Sequence, residues 1–261
     1  MPIAKLDDCE IYYEEHGQGF PVIMVAGLGG VGTYWHPQIE PFAKSFRVIV
    51  HDHRGTGKSS KSKITYSLEQ MTRDTLGLMD ALGIEKAHLV GHSTGGAIGQ
   101  ILAIEHPKRV AKIVMCSAWT KADGFFRLCF ETRRELLLKS GAAAYVKATP
   151  IFLYPSWWIR DNIKQLEAHS TVYGANPDVE IINSRIDALL NFDWSDRLAE
   201  IKHEVLVMGV RNDHLTPAYF SEEIARKIAG AKLVVMNDGG HAASQTLAEE
   251  FNEHVLAFLK P

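Results

Sequence analysis

The sequence predicts an α/β protein, with a mostly parallel, doubly wound sheet and one helical segment inserted after the sixth strand. Three observations predict it. Short apolar runs of strand type alternate with stretches of helical composition, and glycine-bearing loops follow several of those runs. Between Trp119 and Leu198 the alternation gives way to a helix-rich, aromatic block. With 261 residues and 46% hydrophobic content, the chain can bury one large core. The expected organisation is a core of residues 1–118 and 199–261, with residues 119–198 as a helical lid.

Taken in order, Ile3 to Leu6 and Glu10 to Glu15 read as two strands joined by the turn Asp7-Asp8, a hairpin at the sheet edge. Pro21 to Ala26 is near-continuously apolar, the pattern of a strand covered on both faces. It runs into Gly27-Leu28-Gly29-Gly30, a loop stripped of side chains at a strand's C-terminal end, where open α/β sheets hold ligands. A helix over Tyr34–Lys44 and a strand over Phe46–Asp52 follow. The next loop, Gly55-Thr56-Gly57-Lys58-Ser59, superficially resembles a phosphate cradle. Its spacing falls short of G-x-x-x-x-G-K-[ST], which argues against nucleotide binding.

Leu68 to Leu82 carries apolar residues at helical spacing and stops at Gly83. Ala87–Val90 reads as a strand, Ala97–Ile104 as a helix ending near Pro107, and Val110–Cys116 as a strand. The inserted block holds Phe125, Phe126, Phe130, Tyr145, Phe152, Tyr154, Trp157, Trp158 and Tyr173. Most such aromatics are core, and as a block between two strands they suggest a lid over the sheet's C-terminal edge. Alternation resumes with the strand His203–Val210, a helix from near Pro217, the strand Lys232–Met236 and a helix over Thr246–Leu259.

The chemistry centres on Gly91-His92-Ser93-Thr94-Gly95, a G-x-S-x-G pattern between a strand and a helix. That pattern sets a serine on a strained turn with its hydroxyl exposed above the sheet, and its glycines relieve crowding against neighbouring backbone. A serine hydroxyl needs a base to become a nucleophile. His241, in Gly239-Gly240-His241, and Asp213, before Thr216-Pro217, each follow a strand and so emerge on the same edge as Ser93. The order Ser, Asp, His is that of one family of catalytic triads. Asp123 and Asp238 are rival partners for the base, and His92 and His214 could line the pocket. His51 and His53 have metal-compatible spacing but lack a third and fourth ligand pattern, so the site is expected to be metal-free. Two backbone N–H groups, those of Leu28 and Thr94, are placed to form an oxyanion hole.

A net charge of −3 offers no basic field for nucleic acid, which leaves small molecules as the expected partners. Cys9, Cys116 and Cys129 are odd in number and widely spaced, which favours a reducing compartment and inert thiols. The first residues turn acidic before any long apolar run, unlike a secretory signal, and no stretch is long enough to span a bilayer. A cytoplasmic protein, monomeric or homodimeric, is the expectation.

With these residues assembled, the chain resembles the α/β-hydrolase fold enzymes over essentially its whole length. The resemblance rests on Ala26-Gly27-Leu28-Gly29-Gly30, Asp52-His53-Arg54-Gly55-Thr56-Gly57, the Ser93 turn, Asp213 and Gly239-Gly240-His241. Within that superfamily, Gly29 to Trp35, Arg127 to Leu137 and Pro150 to Trp158 are similar to the corresponding segments of the aminoacrylate hydrolases of pyrimidine breakdown. N-formylmaleamate deformylase and 3-oxoadipate enol-lactonase are related enzymes. The resemblance implies a cofactor-free serine hydrolase acting on an amide, enamide or related C–N bond in a small acidic metabolite. A carboxylesterase or enol-lactonase is the alternative, and a ligand receptor on the same fold is a third reading. Trp35, Arg127, Tyr154 and Trp157 are the residues expected to contact substrate, and Arg54, Arg127, Arg133 and Arg134 are the arginines available to a substrate carboxylate, although solvation at the surface is the ordinary fate of such arginines.

Overall fold

Side-chain alternation along the central strands divides the core into two halves. Ile23 and Val25 join one apolar cluster, while Val22 and Met24 join another across the sheet. Ile113 and Met115 repeat the first pattern, and Val114 and Cys116 the second. This two-sided burial is why these strands read as continuous apolar runs.

The computed structural model describes residues 2–172 and 177–260, with the side chains of residues 167–172 excepted. Tyr173 and the side chain of His169 therefore lie outside the described residues. The strands are β1 (Ile3–Lys5), β2 (Glu10–His16), β3 (Phe20–Val25), β4 (Phe46–His51), β5 (Ala87–His92), β6 (Val110–Cys116), β7 (Glu204–Val210) and β8 (Lys232–Met236). They form one sheet in the order β1-β2-β4-β3-β5-β6-β7-β8. β1 and β2 are a hairpin at the edge, β2 pairs antiparallel with β4, and the remaining pairs are parallel.

α1 (His36–Ala43) and α9 (Ala248–Leu259) cover one face through Phe42, Phe251, Val255 and Phe258. α2 (Leu68–Ala81), α3 (Thr94–Glu105) and α7 (Ala218–Lys227) cover the other through Met71, Ile98, Ile101, Phe220 and Ile224. The hydroxyl of Ser67 accepts from Gln70 N at 3.1 Å and starts α2, and Gly83 at φ 64° ends it.

Two helical boundaries differ from the sequence reading. The helix expected from Tyr34 opens instead with a 3₁₀ turn over Gly32–Trp35, because Pro37 in the first turn of α1 has no N–H to extend the ladder backwards. The helix expected from Thr246 is two pieces, α8 (Ala243–Thr246) and α9, with Leu247 at φ −128° and ψ 50° between them.

Between β6 and β7 lie α4 (Gly124–Leu153), α5 (Ser156–Val172) and α6 (Val179–Asn191). α4 is a long run broken at Gly141, whose φ of 84° is outside helical space. Phe126, Phe130, Leu137, Ile186 and Leu189 of this insertion join the same apolar cluster as Ile23 and Leu89 of the sheet. The insertion is thus seated on the core and shares its hydrophobic interior. No described helix is long and apolar enough to cross a membrane.

Candidate active site

Ser93 has φ 53° and ψ −112°, between the end of β5 and the start of α3. A non-glycine residue in that region costs about 1–3 kcal/mol and is held only by its surroundings. Here the surroundings are backbone. A Cβ on Gly91 would run into the Gly95 carbonyl, and one on Gly95 into the Val25 carbonyl of the neighbouring strand. A Cβ on Gly96 would stand 2.6 Å from that of Ala118. The glycines therefore let α3 begin directly against β3 and β6, and that close start forces the turn at Ser93.

Asp213 leaves β7 inside a turn that holds its carboxylate from below. Oδ1 accepts from Leu215 N at 2.7 Å and from Thr216 N at 2.9 Å, and the Thr216 hydroxyl stands 2.9 Å from Oδ2. The remaining lone pairs face His241, whose Nδ1–H lies 2.9 Å from Oδ2 and 3.1 Å from Oδ1. Burial opposes ionisation of this carboxyl, but the His241 ring and the turn hydrogen bonds outweigh it and lower its pKa to about 2. The His241 main chain is held as well, since His92 Nε2–H donates to its carbonyl at 2.8 Å. Every hydrogen-bond contact of the His241 ring falls on Nδ1, and Ser93 does not cap α3. Nε2 and the Ser93 hydroxyl are both left unspent among the described residues.

The loop after β3 lies against this turn. A Cβ at Gly27 would be 3.3 Å from that of Ser93 and 3.1 Å from His92 Nδ1. The backbone N–H of Thr94, in the first turn of α3, has no helical partner, and Leu28 is half-buried in the loop that follows Gly27.

The alpha/beta hydrolase fold family matches residues 21–245 of this sequence. The chain belongs to the α/β-hydrolase family. Among curated relatives, a protein of Azorhizobium caulinodans named as a carbamate hydrolase, RutD, is 42% identical over 259 residues, covering 99% of this chain and 98% of its own length. A Caulobacter vibrioides protein of the same name is 41% identical over 268 residues, covering 100% and 98%. Among solved structures, the enol-lactonase from Burkholderia xenovorans LB400 superposes with a TM-score of 0.92 at 28% identity, covering 99% of each chain.

Against that α/β-hydrolase frame, the rival residues find other duties. Asp123 caps α4 by accepting from Phe126 N at 2.8 Å and takes the Tyr219 hydroxyl at 2.6 Å. Asp238 accepts from Asn212, Gly239 N and Trp157 Nε1. Neither meets His241. His214 is exposed. The phosphate-like loop holds an internal anion: Gly32 N and Lys58 N donate to the buried Asp52 carboxylate at 2.8 and 2.7 Å, and a Cβ on Gly57 would collide with it. Among the described residues, no cluster of three or more His, Cys, Asp or Glu is placed to hold a metal ion.

Two of the expected substrate contacts are corrected. Trp35 is fully buried in the core, 6.3 Å from the Phe251 ring, because the 3₁₀ turn directs it beneath the sheet's helical cover. Arg127 is exposed and donates to the Leu190 carbonyl at 2.9 Å, tying α4 to α6. Tyr154 and Trp157 are near the site, but their polar ends are committed to the core, to Gln245 Oε1 at 2.8 Å and Asp238 Oδ2 at 3.0 Å.

Sequence reasoning missed Arg185 and Ser117, and it offered Arg133 only as one of four arginines that could meet a substrate carboxylate. Arg185, fully buried on α6, donates to the carbonyls of Leu28 and Arg54, both at 2.9 Å. Ser117 has φ 48°, and its carbonyl accepts from the Thr216 hydroxyl at 2.9 Å, linking the end of β6 to the Asp213 turn. An arginine inside an amphipathic helix carries no local signal of burial, and an isolated serine after a strand carries none of strain.

Proposed function

We propose that this chain is a cofactor-free serine hydrolase that cleaves an amide, enamide or related C–N bond in a small acidic metabolite of pyrimidine or N-heterocycle degradation. The observation that carries the reading is the Asp213–His241 pair, at 2.9 Å, on the same sheet edge as the positive-φ turn at Ser93. Ser93 Oγ attacks the carbonyl carbon while His241 Nε2 accepts its proton. Asp213 keeps the imidazole proton on Nδ1 and stabilises the imidazolium. The N–H groups of Leu28 and Thr94 take the oxyanion. His241 then passes its proton to the leaving nitrogen, the amine departs, and water repeats the sequence on the acyl-enzyme to regenerate Ser93.

The relatives named as carbamate hydrolases support the C–N bond. The match to an enol-lactonase supports a second reading, hydrolysis of a small ester or lactone by the same residues. Residues 119–198 serve as a lid that selects the substrate, in a cytoplasmic enzyme that is a monomer or homodimer. The test is a panel of small carbamates, amides, enol-lactones and esters run on wild type and Ser93→Ala, with fluorophosphonate labelling followed by mass spectrometry. Label on Ser93 and loss of turnover in Ser93→Ala support the mechanism. Undiminished turnover in Ser93→Ala overturns it, and tight binding of the panel without any turnover favours a receptor.

A further inference from the structure

Arg133 and Arg185 are both buried in the insertion, at 5% and 0% exposure, and neither meets a carboxylate among the described residues. A buried guanidinium is costly unless an anion or oriented dipoles compensate it. Arg185 has two backbone carbonyls at 2.9 Å and His53 Nδ1 at 3.1 Å on its terminal nitrogens, although its Nε–H is also buried with no partner among the described residues. Arg133 meets no carbonyl among the described residues. It donates to the Tyr145 hydroxyl at 3.0 Å and lies 3.4 Å from the Thr149 hydroxyl, while its Nε–H is buried with no partner. The rings of Phe130, Tyr145 and Phe152 surround the guanidinium carbon at 5.2, 5.0 and 5.4 Å. Aromatic faces tolerate a cation and exclude water, but they do not neutralise the charge.

Neighbours of this cage touch the loops that carry Asp213 and His241. Arg133 is one helical turn beyond Cys129, on the same face of α4, and the Cys129 thiol reaches the carbonyl of His214, next to Asp213, at 3.5 Å. Phe152 adjoins Leu153, whose carbonyl accepts from Ala242 N, next to His241, at 3.0 Å. Phe130 leads through Phe126, at 4.5 Å, to Trp119, at 4.8 Å, just past the end of β6. Contacts thus lead from the cage to the exit of β6, to the Asp213 turn and to the His241 loop.

We propose that Arg133, oriented by Tyr145, binds the free carboxylate of a small acid whose second acyl group is presented to Ser93. The proposal rests on the hydrolase reading above. A planar guanidinium with an unspent N–H matches a carboxylate, and desolvation by three rings strengthens that pairing. The insertion then selects for charge as well as size.

Two p-nitrophenyl esters of matched length test it, the hemisuccinate, which carries a free carboxylate, and the neutral butyrate. Wild type is expected to favour the hemisuccinate in kcat/KM. Arg133→Gln lowers the hemisuccinate-to-butyrate ratio by at least about tenfold, chiefly through KM of the acidic ester, and Arg133→Lys restores part of it. If Arg133→Gln does not fold, Tyr145→Phe, which removes only the orienting hydroxyl, lowers the same ratio about two- to fivefold. A ratio unchanged while both rates fall together means that Arg133 only braces the insertion, and it overturns the proposal. So does a wild type that hydrolyses both esters with no preference. A wild type that hydrolyses neither and takes no fluorophosphonate label overturns the hydrolase reading, and this proposal with it.

Discussion

Arg185 on α6 donates to the carbonyl oxygen of Leu28 at 2.9 Å, so a helix of the insertion holds the loop that flanks Ser93. The same guanidinium grips the Arg54 carbonyl and His53 Nδ1, which joins two loops at the sheet edge to one side chain. Burial lowers the Arg185 pKa to about 10, so it stays a cation at neutral pH. Arg185→Met releases Leu28, and kcat is expected to fall about 10- to 100-fold with a smaller change in KM. Arg185→Lys cannot span both carbonyls and recovers little. Steady-state kinetics on any substrate of the panel checks this, and a kcat within about twofold of wild type would show that the loop is held without it.

Asp213, paired with the His241 ring, and Asp238, three residues before His241, separate cleanly. Asp213→Asn removes the acceptor that orients His241 and is expected to lower kcat by about 10³- to 10⁴-fold. Asp238→Asn touches Trp157, Asn212 and Gly239 but not the ring of His241, and is expected to cost less than about tenfold. Equal losses in the two variants would remove Asp213 from the proposed triad.

Acid should destabilise the fold from just below neutrality. Burial holds His51 and His88 neutral, each with its pKa lowered to about 4, and His92 to about 3. Burial, with Arg185 close by, also lowers the pKa of His53. The unfolded chain takes up these protons near pH 6.5 while the folded chain does not. Stability is therefore fully present above about pH 6.5 and is lost as pH falls toward 4, by on the order of 1 kcal/mol per unit for each such histidine. Asp213, lowered to about 2, extends the loss below about pH 4. Tm measured from pH 7.5 to 5 should fall steadily, and a flat profile would count against neutral buried histidines.

The junction of α4 and α5 is pinned to the His241 loop by the Trp157 indole on Asp238 and by Ala242 N on the Leu153 carbonyl, both at 3.0 Å. Trp157→Phe keeps the ring and deletes one donor. It is expected to cost about 1 kcal/mol, or about 2–4 °C in Tm, and to raise KM more than it lowers kcat. A thermal scan beside the kinetics reads both, and an unchanged Tm would mean the indole bond contributes nothing.

What the sequence by itself determined is whatever depends on neighbours along the chain. The G-x-S-x-G spacing, the apolar strands before Ser93, Asp213 and His241, and the glycine loop at Leu28 are local patterns, so both the fold and the serine's turn are legible from them. Tertiary structure alone decided which acid serves His241, because Asp123, Asp213 and Asp238 all follow strands and only Asp213 meets the ring. It also moved Trp35 into the core and Arg127 to the surface, and it drew Arg133 and Arg185 inward. Whether a helical arginine is solvated or buried depends on what packs across from it, and those partners, Leu28 and Arg54 for Arg185 and three aromatic rings for Arg133, meet it only through the fold.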